Sequence, residues 1–507
     1  LLMRRRLARV FFVFVAAALA AGIGTATALV GSRPGKDLLA RWVSEESNRL
    51  VRGSVYIGRI SGDFLTNLTL DSVVVRDTTG ALLADIGRLG LRFRIGSLFA
   101  RRFVFDSVVA LRPRVEVVKH RGGRMNYQEV LRLGEGRGGG GPSPLIRLDH
   151  LTVVDGQMTV MTPWNPDGRL TTARQRDSAL LAERAKPGRV IVPGSLPGDG
   201  LMLVRSIRHL ALRMPMVLLS SPDRTPFTAT IDTLAASISD PGVTVRDLKG
   251  RIVQGADSLL FDLDRAALPS TVVHGKGRLD WPADTVLYRF DLMAPSLDLA
   301  DLRWISPKFP GLAGQGRIRS TPIAGSRTEY RLTELTLRDQ SSRIDGDLIA
   351  IVDVYRGLGV RDLDLDLDRV DLESVRPYLD TLPFAGRLSG SLRASGFFDL
   401  MAVDAEWAFF DGRVPGAPEN RLAFAGNVTL GGPEGLVFRQ VRIHRSDLDL
   451  ETIRLVTPAV VLKGRLGLAG LLDGPWRNAA FDGRIEHHDG TLPMSAVLSL
   501  SFLAASS

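Results

Sequence analysis

Asp362-Leu363-Asp364-Leu365-Asp366-Leu367-Asp368 alternates without a break between carboxylate and leucine. A helix would scatter both residue types around its circumference. A strand sends successive side chains to opposite faces and so sorts them into one apolar and one charged face. The same period of two appears in Leu89-Gly90-Leu91-Arg92-Phe93-Arg94-Ile95, in Val286-Leu287-Tyr288-Arg289-Phe290-Asp291-Leu292, and more loosely over Leu422, Phe424, Gly426, Val428 and Leu430. Turn-forming stretches separate such runs: Asp77-Thr78-Thr79-Gly80, Asp155-Gly156, Asp411-Gly412 and Gly431-Gly432-Pro433. From Val55 onward the chain therefore reads as mainly β, with short helices expected only over Tyr127 to Leu133 and Arg174 to Ala185.

Ahead of the strands the pattern differs. Arg4-Arg5-Arg6 and Arg9 precede an uncharged run from Val10 to Val30. At 1.5 Å rise per residue such a run spans roughly 30 Å, the thickness of a hydrocarbon core. Residues 1–9 read as a basic cytoplasmic tail, 10–30 as a transmembrane helix and 35–52 as an amphipathic helix. A cleaved signal peptide is the competing reading of the apolar run, because small residues crowd Ala16 to Ala28. Residues 53–507 form the β body, with loop insertions near 134–145, where Gly134 to Gly141 is glycine apart from Glu135 and Arg137, and near 162–200. An apolar content of 45% is too high for a disordered chain. The absence of cysteine excludes disulfides, thiol nucleophiles and cysteine-ligated metals.

The net charge of +10 raises the question of nucleic acid. The arginines are scattered along strands without aromatic interleaving, so a nucleic-acid partner is not expected. Glycine–serine elbows, phosphate loops and paired-histidine zinc motifs are missing. Val273-His274-Gly275-Lys276-Gly277 reads as a glycine-broken strand. His487 and His488 are strand neighbours that point to opposite faces, which argues against a shared metal. The aspartates of 362–368 read as a solvated strand face. No enzyme, metal or cofactor is expected.

A weak repeat is visible. Leu297-Asp298-Leu299-Ala300-Asp301-Leu302-Arg303 is echoed by Val370-Asp371-Leu372-Glu373-Ser374-Val375-Arg376. Each leads to a proline and then to spaced glycines, with a looser third copy at Gly464, Gly467 and Gly470. Repetition of this kind suggests a body grown by adding similar units.

Gly58-Arg59-Ile60-Ser61-Gly62-Asp63-Phe64, Leu70-Asp71-Ser72-Val73-Val74-Val75-Arg76-Asp77 and Ser97-Leu98-Phe99 resemble the opening of AsmA-like and TamB-like proteins. Leu111-Arg112-Pro113-Arg114-Val115-Glu116-Val117 followed by Gly123-Arg124-Met125-Asn126 does so too, and Gly386 to Gly396 is similar to segments common in TamB repeats. The resemblance implies a bacterial inner-membrane protein with a cytoplasmic N-terminus and a periplasmic body. It implies a long, curved antiparallel sheet folded like a taco around an apolar groove. Phospholipids and the inner membrane are the implied partners, with an outer-membrane assembly protein as a further one. The implied function is to shield or conduct phospholipids between membranes; the alternative is a scaffold that helps outer-membrane proteins assemble by strand-edge pairing. TamB-like chains are usually longer and end in a β domain that the last residues here do not resemble, so a fragment or a shorter AsmA-like member is expected. Leu89, Leu91, Phe93, Val286, Tyr288, Phe290, Leu363, Leu365, Leu367, Leu422 and Phe424 are the expected groove lining.

Overall fold

A computed structural model describes residues 53–503 apart from 64–65, 94–101, 122–124, 131–144, 167–171, 221–226, 256–257, 281–286, 306, 324–326, 354, 375, 377–383, 431–434, 456–460, 477 and 490–493. The expected membrane span and amphipathic helix lie outside the described residues, as does Val286. Among the described residues no helix is long and apolar enough to cross a membrane. The protein is mainly β, with few helices, and divides into two compact units: residues 1–269 with 278–285, and residues 270–277 with 286–507.

The first unit contains β1 (Ser54–Gly62), β2 (Asn67–Arg76), β3 (Leu82–Phe93), β4 (Arg102–Val118), α1 (Asn126–Val130), β5 (Leu145–Pro163), α2 (Ala173–Arg184), β6 (Val190–Pro193), β7 (Leu201–Ser220), β8 (Phe227–Ile231), β9 (Thr233–Ser239), β10 (Gly242–Val245), β11 (Asp247–Gln254) and β12 (Ser258–Ala267). Strands β1 to β4 form an antiparallel meander. The step from β4 to β5 is parallel, a departure from the all-antiparallel expectation. Its physical reason is the connection, which is long enough for a crossover and carries α1. The helix is pinned by Asn126: its Oδ1 accepts from the Val118 N–H at 3.0 Å, and its Nδ2 donates to the Glu116 carbonyl at 3.0 Å. Val130 thereby joins a core with Ile57, Ile60, Leu70, Leu89, Leu91, Phe93 and Phe105.

One sequence expectation is corrected here. Asp155-Gly156 is not a turn: β5 runs straight through it, with Asp155 at φ 53° and a slip in the ladder to β7. The stretch 162–200 contains the short helix expected over Arg174 to Ala185. It holds α2, whose Thr172 caps the first turn through Gln175, and β6, which pairs with β7.

The second unit continues from β13 (Val272–Asp280), which straddles the division, through β14 (Leu287–Asp298), β15 (Ala313–Ile323), β16 (Arg327–Arg338), β17 (Arg343–Asp353), β18 (Gly357–Asp371), β19 (Gly386–Phe397), β20 (Leu400–Asp411), β21 (Glu419–Thr429), β22 (Val437–Asp449), α3 (Leu450–Arg454), β23 (Arg465–Pro475), β24 (Asn478–His488) and β25 (Met494–Leu503). From β14 to β25 each strand pairs antiparallel with its sequence neighbours. Most of these ladders slip at bulges. Glu334, Asp362, Arg369 and Gln440 all have positive φ and all sit where the register shifts. A bulge inserts one residue, so the apolar residues on either side return to the same face despite odd spacing. Leu332 and Leu335 keep one face this way, as do Val360 and Leu363, and Leu367 and Val370. Neighbouring side chains satisfy the bulge N–H groups: Asp347 accepts from Glu334, Ser389 from Arg369 and Asp473 from Gln440.

Candidate functional site

Registers chained across the second unit sort its side chains into rows. One row runs Leu297, Gly314, Leu337, Ile344, Leu367, Gly390, Trp407, Leu422, Ser446. A second runs Gly346, Leu365, Leu392, Ala405, Phe424, Ile443, Gly470, Gly483. A third runs Phe290, Ser320, Tyr330, Ala350, Val360, Gly396, Met401, Val428, Phe438, Gly474. Directly paired residues share a face, so all three rows lie on one apolar side of the sheet.

The opposite face carries charge. Asp364 pairs with Arg393 and then Asp404; Asp366 pairs with Ser391 and then Glu406. Asp291 receives Arg317 at 2.7 Å and Arg319 at 2.8 Å, and these guanidiniums, Arg317 first, hold its carboxyl down to about 2. Burial opposes the charge of Glu329, yet Arg361 and Arg327 win and keep its carboxyl below the usual range.

The sequence-predicted lining residues divide into two sets. Leu89, Leu91 and Phe93 are buried in the first unit's packed cluster, where Phe93 meets Phe105 edge to face at 6.5 Å. Phe290, Leu363, Leu365, Leu367, Leu422 and Phe424 share the apolar face of the second unit and stay half-buried. Tyr288, at the start of β14, is exposed. Among the described residues, the apolar clusters of the second unit draw on neighbouring strands and the turns between them.

One rim of this face is closed by a module that occurs three times. At the end of β14, Asp298 caps a 3-10 turn, Leu299–Leu302, by accepting from the Ala300 N–H at 2.8 Å. At the end of β18, Asp371 accepts from Glu373 at 3.0 Å, ahead of the turn Leu372–Ser374. At the end of β22, Asp449 accepts from Glu451 at 2.9 Å, at the start of α3. In each module a buried polar side chain 27 or 29 residues earlier accepts the aspartate's own N–H: Thr271 for Asp298, Ser342 for Asp371 and Asn420 for Asp449. In each, an arginine at the end of the turn donates to a carbonyl of the returning chain: Arg303 to Phe309, Arg376 to Phe384 and Arg454 to Leu462. Strands β14, β18 and β22 run in the same direction, so the three modules share one rim.

Sequence reasoning paired the first two modules and missed the third. Asp449-Leu450-Glu451-Thr452-Ile453-Arg454 repeats the Asp-Leu-x-x-x-Arg spacing of 298–303 and 371–376, and that signal was available. His487 lies buried with Nε2 2.8 Å from the Lys463 carbonyl, while His488 lies 3.4 Å from Asp447. Among the described residues no cluster of potential metal ligands gathers. No family model, curated protein or solved structure matches this chain.

Proposed function

We propose that the apolar face of β14–β25 takes up the acyl chains of phospholipids and shields them from water, as the AsmA-like and TamB-like resemblance implies. The observation that supports this reading is the set of apolar rows on one face, in which Phe290, Leu365, Leu367, Leu392, Leu422 and Phe424 remain half-buried while Leu337, Met401, Ala405, Val428 and Ile443 are buried among them. A single-layer sheet holds such a face at a cost, because each CH2 removed from water is worth about 0.8 kcal/mol. An acyl chain lying along the rows would recover that free energy for both partners. Glycine kinks in the rows, as at Gly346 and Gly390, support bending of the sheet into a groove. The proposed setting is the periplasmic side of a bacterial inner membrane, with residues 10–30 as anchor. A reporter enzyme active only outside the cytoplasm, fused after Arg52, tests that placement; inactivity overturns it.

A photoreactive side chain at Leu365 is expected to crosslink phospholipid in cells, while one at Asp364 is not. Leu365→Arg is expected to obstruct lipid while leaving much of the fold intact, since an open groove lets the guanidinium reach water. An unfolded arginine variant together with no adducts overturns the groove, because a closed core would bury an unpaired charge.

A second reading has its own support. Among the described pairings β25 is joined only to β24, which leaves an edge suited to strand addition. Proline at Val497 and at Ser499 is expected to abolish capture of an outer-membrane strand under that reading, and unchanged capture rules it out.

A further inference from the structure

Among the described residues, the apolar rows contain one water-shielded donor with no acceptor. Trp407 lies in the first row between Gly390, which contributes no side chain, and Leu422. Its indole Nε1 is shielded from water and makes no hydrogen bond. Phe424 stands edge to face with it at 5.0 Å and 81°, a geometry that offers only the weak acceptor of a ring face. The two serines in the rows are satisfied. Ser320 Oγ accepts from the Phe290 N–H and donates to the Tyr288 carbonyl, and Ser446 Oγ does the same with Leu468. Against these, an unpaired buried N–H is an exception that calls for a partner.

The surroundings select the chemistry of that partner. Apart from Asp411 at the end of β20, whose charge is taken up by Arg413, the aspartates and arginines of these strands sit on the opposite face, so a carboxylate or phosphate at Trp407 would lie among apolar groups without a free counter-charge. The site fits a neutral acceptor attached to a long apolar chain. We propose that Trp407 is a ligand-binding residue: when an acyl lipid parts the side chains that cover the indole N–H, that N–H donates to the lipid's ester carbonyl and so fixes where the glycerol end of the lipid sits on the sheet. This inference rests on the acyl-chain reading above and adds a preference to it: ester-linked over ether-linked lipid.

The test uses the full chain and two short-chain phosphatidylcholines, identical except that one is ester-linked and the other ether-linked, with affinities measured by titration calorimetry. The wild-type protein is expected to bind the ester lipid about fivefold more tightly, which corresponds to about 1 kcal/mol for one neutral hydrogen bond. Trp407→Phe is expected to bind both alike, at the wild-type affinity for the ether lipid, which also reports that the variant is folded. As a readout that needs no variant, the infrared stretch of a 13C-labelled ester carbonyl is expected to move to lower wavenumber on binding to the wild-type chain. Equal affinities in the wild type, a preference that survives Trp407→Phe, or an unshifted carbonyl overturns the role of Trp407 and leaves the acyl-chain reading standing. Binding of neither lipid overturns both.

Discussion

Asn420 shows how much one buried side chain can organise. Its Oδ1 accepts from the Asp449 N–H at 2.7 Å, and its Nδ2 reaches Thr452 Oγ1 at 3.2 Å and the Pro418 carbonyl at 3.1 Å. Asn420→Ala would leave those groups unsatisfied and is expected to cost about 2 kcal/mol, read as a lower urea midpoint. Asn420→Ser, which restores the chemistry of Ser342 in the neighbouring module, is expected to lose less. Asp291 makes a pH-dependent contribution. Its carboxyl is held to about 2 in the folded chain, against roughly 3.9 unfolded. The stabilisation is therefore present above about pH 4 and is lost as pH falls toward 2. With 28% of the side chain exposed, solvent screening reduces it to about 1 kcal/mol. Denaturation midpoints of wild type and Asp291→Asn are expected to converge over that interval; a constant gap rules the linkage out. At this scale sequence was a partial guide. Leucines and aspartates on one strand declare their faces, whereas the bond between Asn420 and Asp449 spans 29 residues and depends on how β22 folds back along β21.

The element scale turns on kinks and bulges. Gly346 has φ 148°, and a Cβ there would lie 2.0 Å from the Asp364 carbonyl oxygen. Gly346→Ala is expected to destabilise by about 3 kcal/mol, because both the backbone conformation and the close approach exclude a side chain. Gly467 also lies in a strand, but a Cβ would find only ordinary contacts beyond 3.5 Å. Gly467→Ala is the control and is expected to change stability by less than about 1 kcal/mol. Equal effects at the two sites, measured by urea denaturation, would show that the kink at Gly346 relaxes freely. Strands were legible from alternation, and α2 from its charged stretch. Bulges were not. Val360 and Leu363 break the period of two in sequence, and only the slip at Asp362 puts them back on one face. The parallel step from β4 to β5 was also hidden, since alternation reports faces and not strand direction.

For the whole molecule, the repeat offers the sharpest test. Ser342 and Asn420 occupy equivalent places, so deleting residues 342–419 removes β17 to β20 and brings β16 up against β21 with the third module whole. The shortened chain is expected to fold cooperatively with β-type circular dichroism, because each repeat depends mainly on its neighbours. Aggregation of this chain, alongside a soluble wild type, would mean that the repeats are not interchangeable. Sequence disclosed the repetition through its aspartate–leucine echo. It could not disclose that the first unit packs Leu89, Leu91 and Phe93 in one core with Val130 of α1 while the second leaves Leu363, Leu365 and Leu367 half open. Identical alternation serves both, and what covers a face is decided by distant segments.

The recurring rim module has a consequence for growth. Strands lie about 4.8 Å apart, so a set of four adds roughly 19 Å to the sheet. Gaining or losing a single strand would reverse the direction of every later one and carry the following modules to the other rim. Viable lengths are then graduated like the marks on a coarse ruler, and a span that falls between two marks must be met by tilt of the strands.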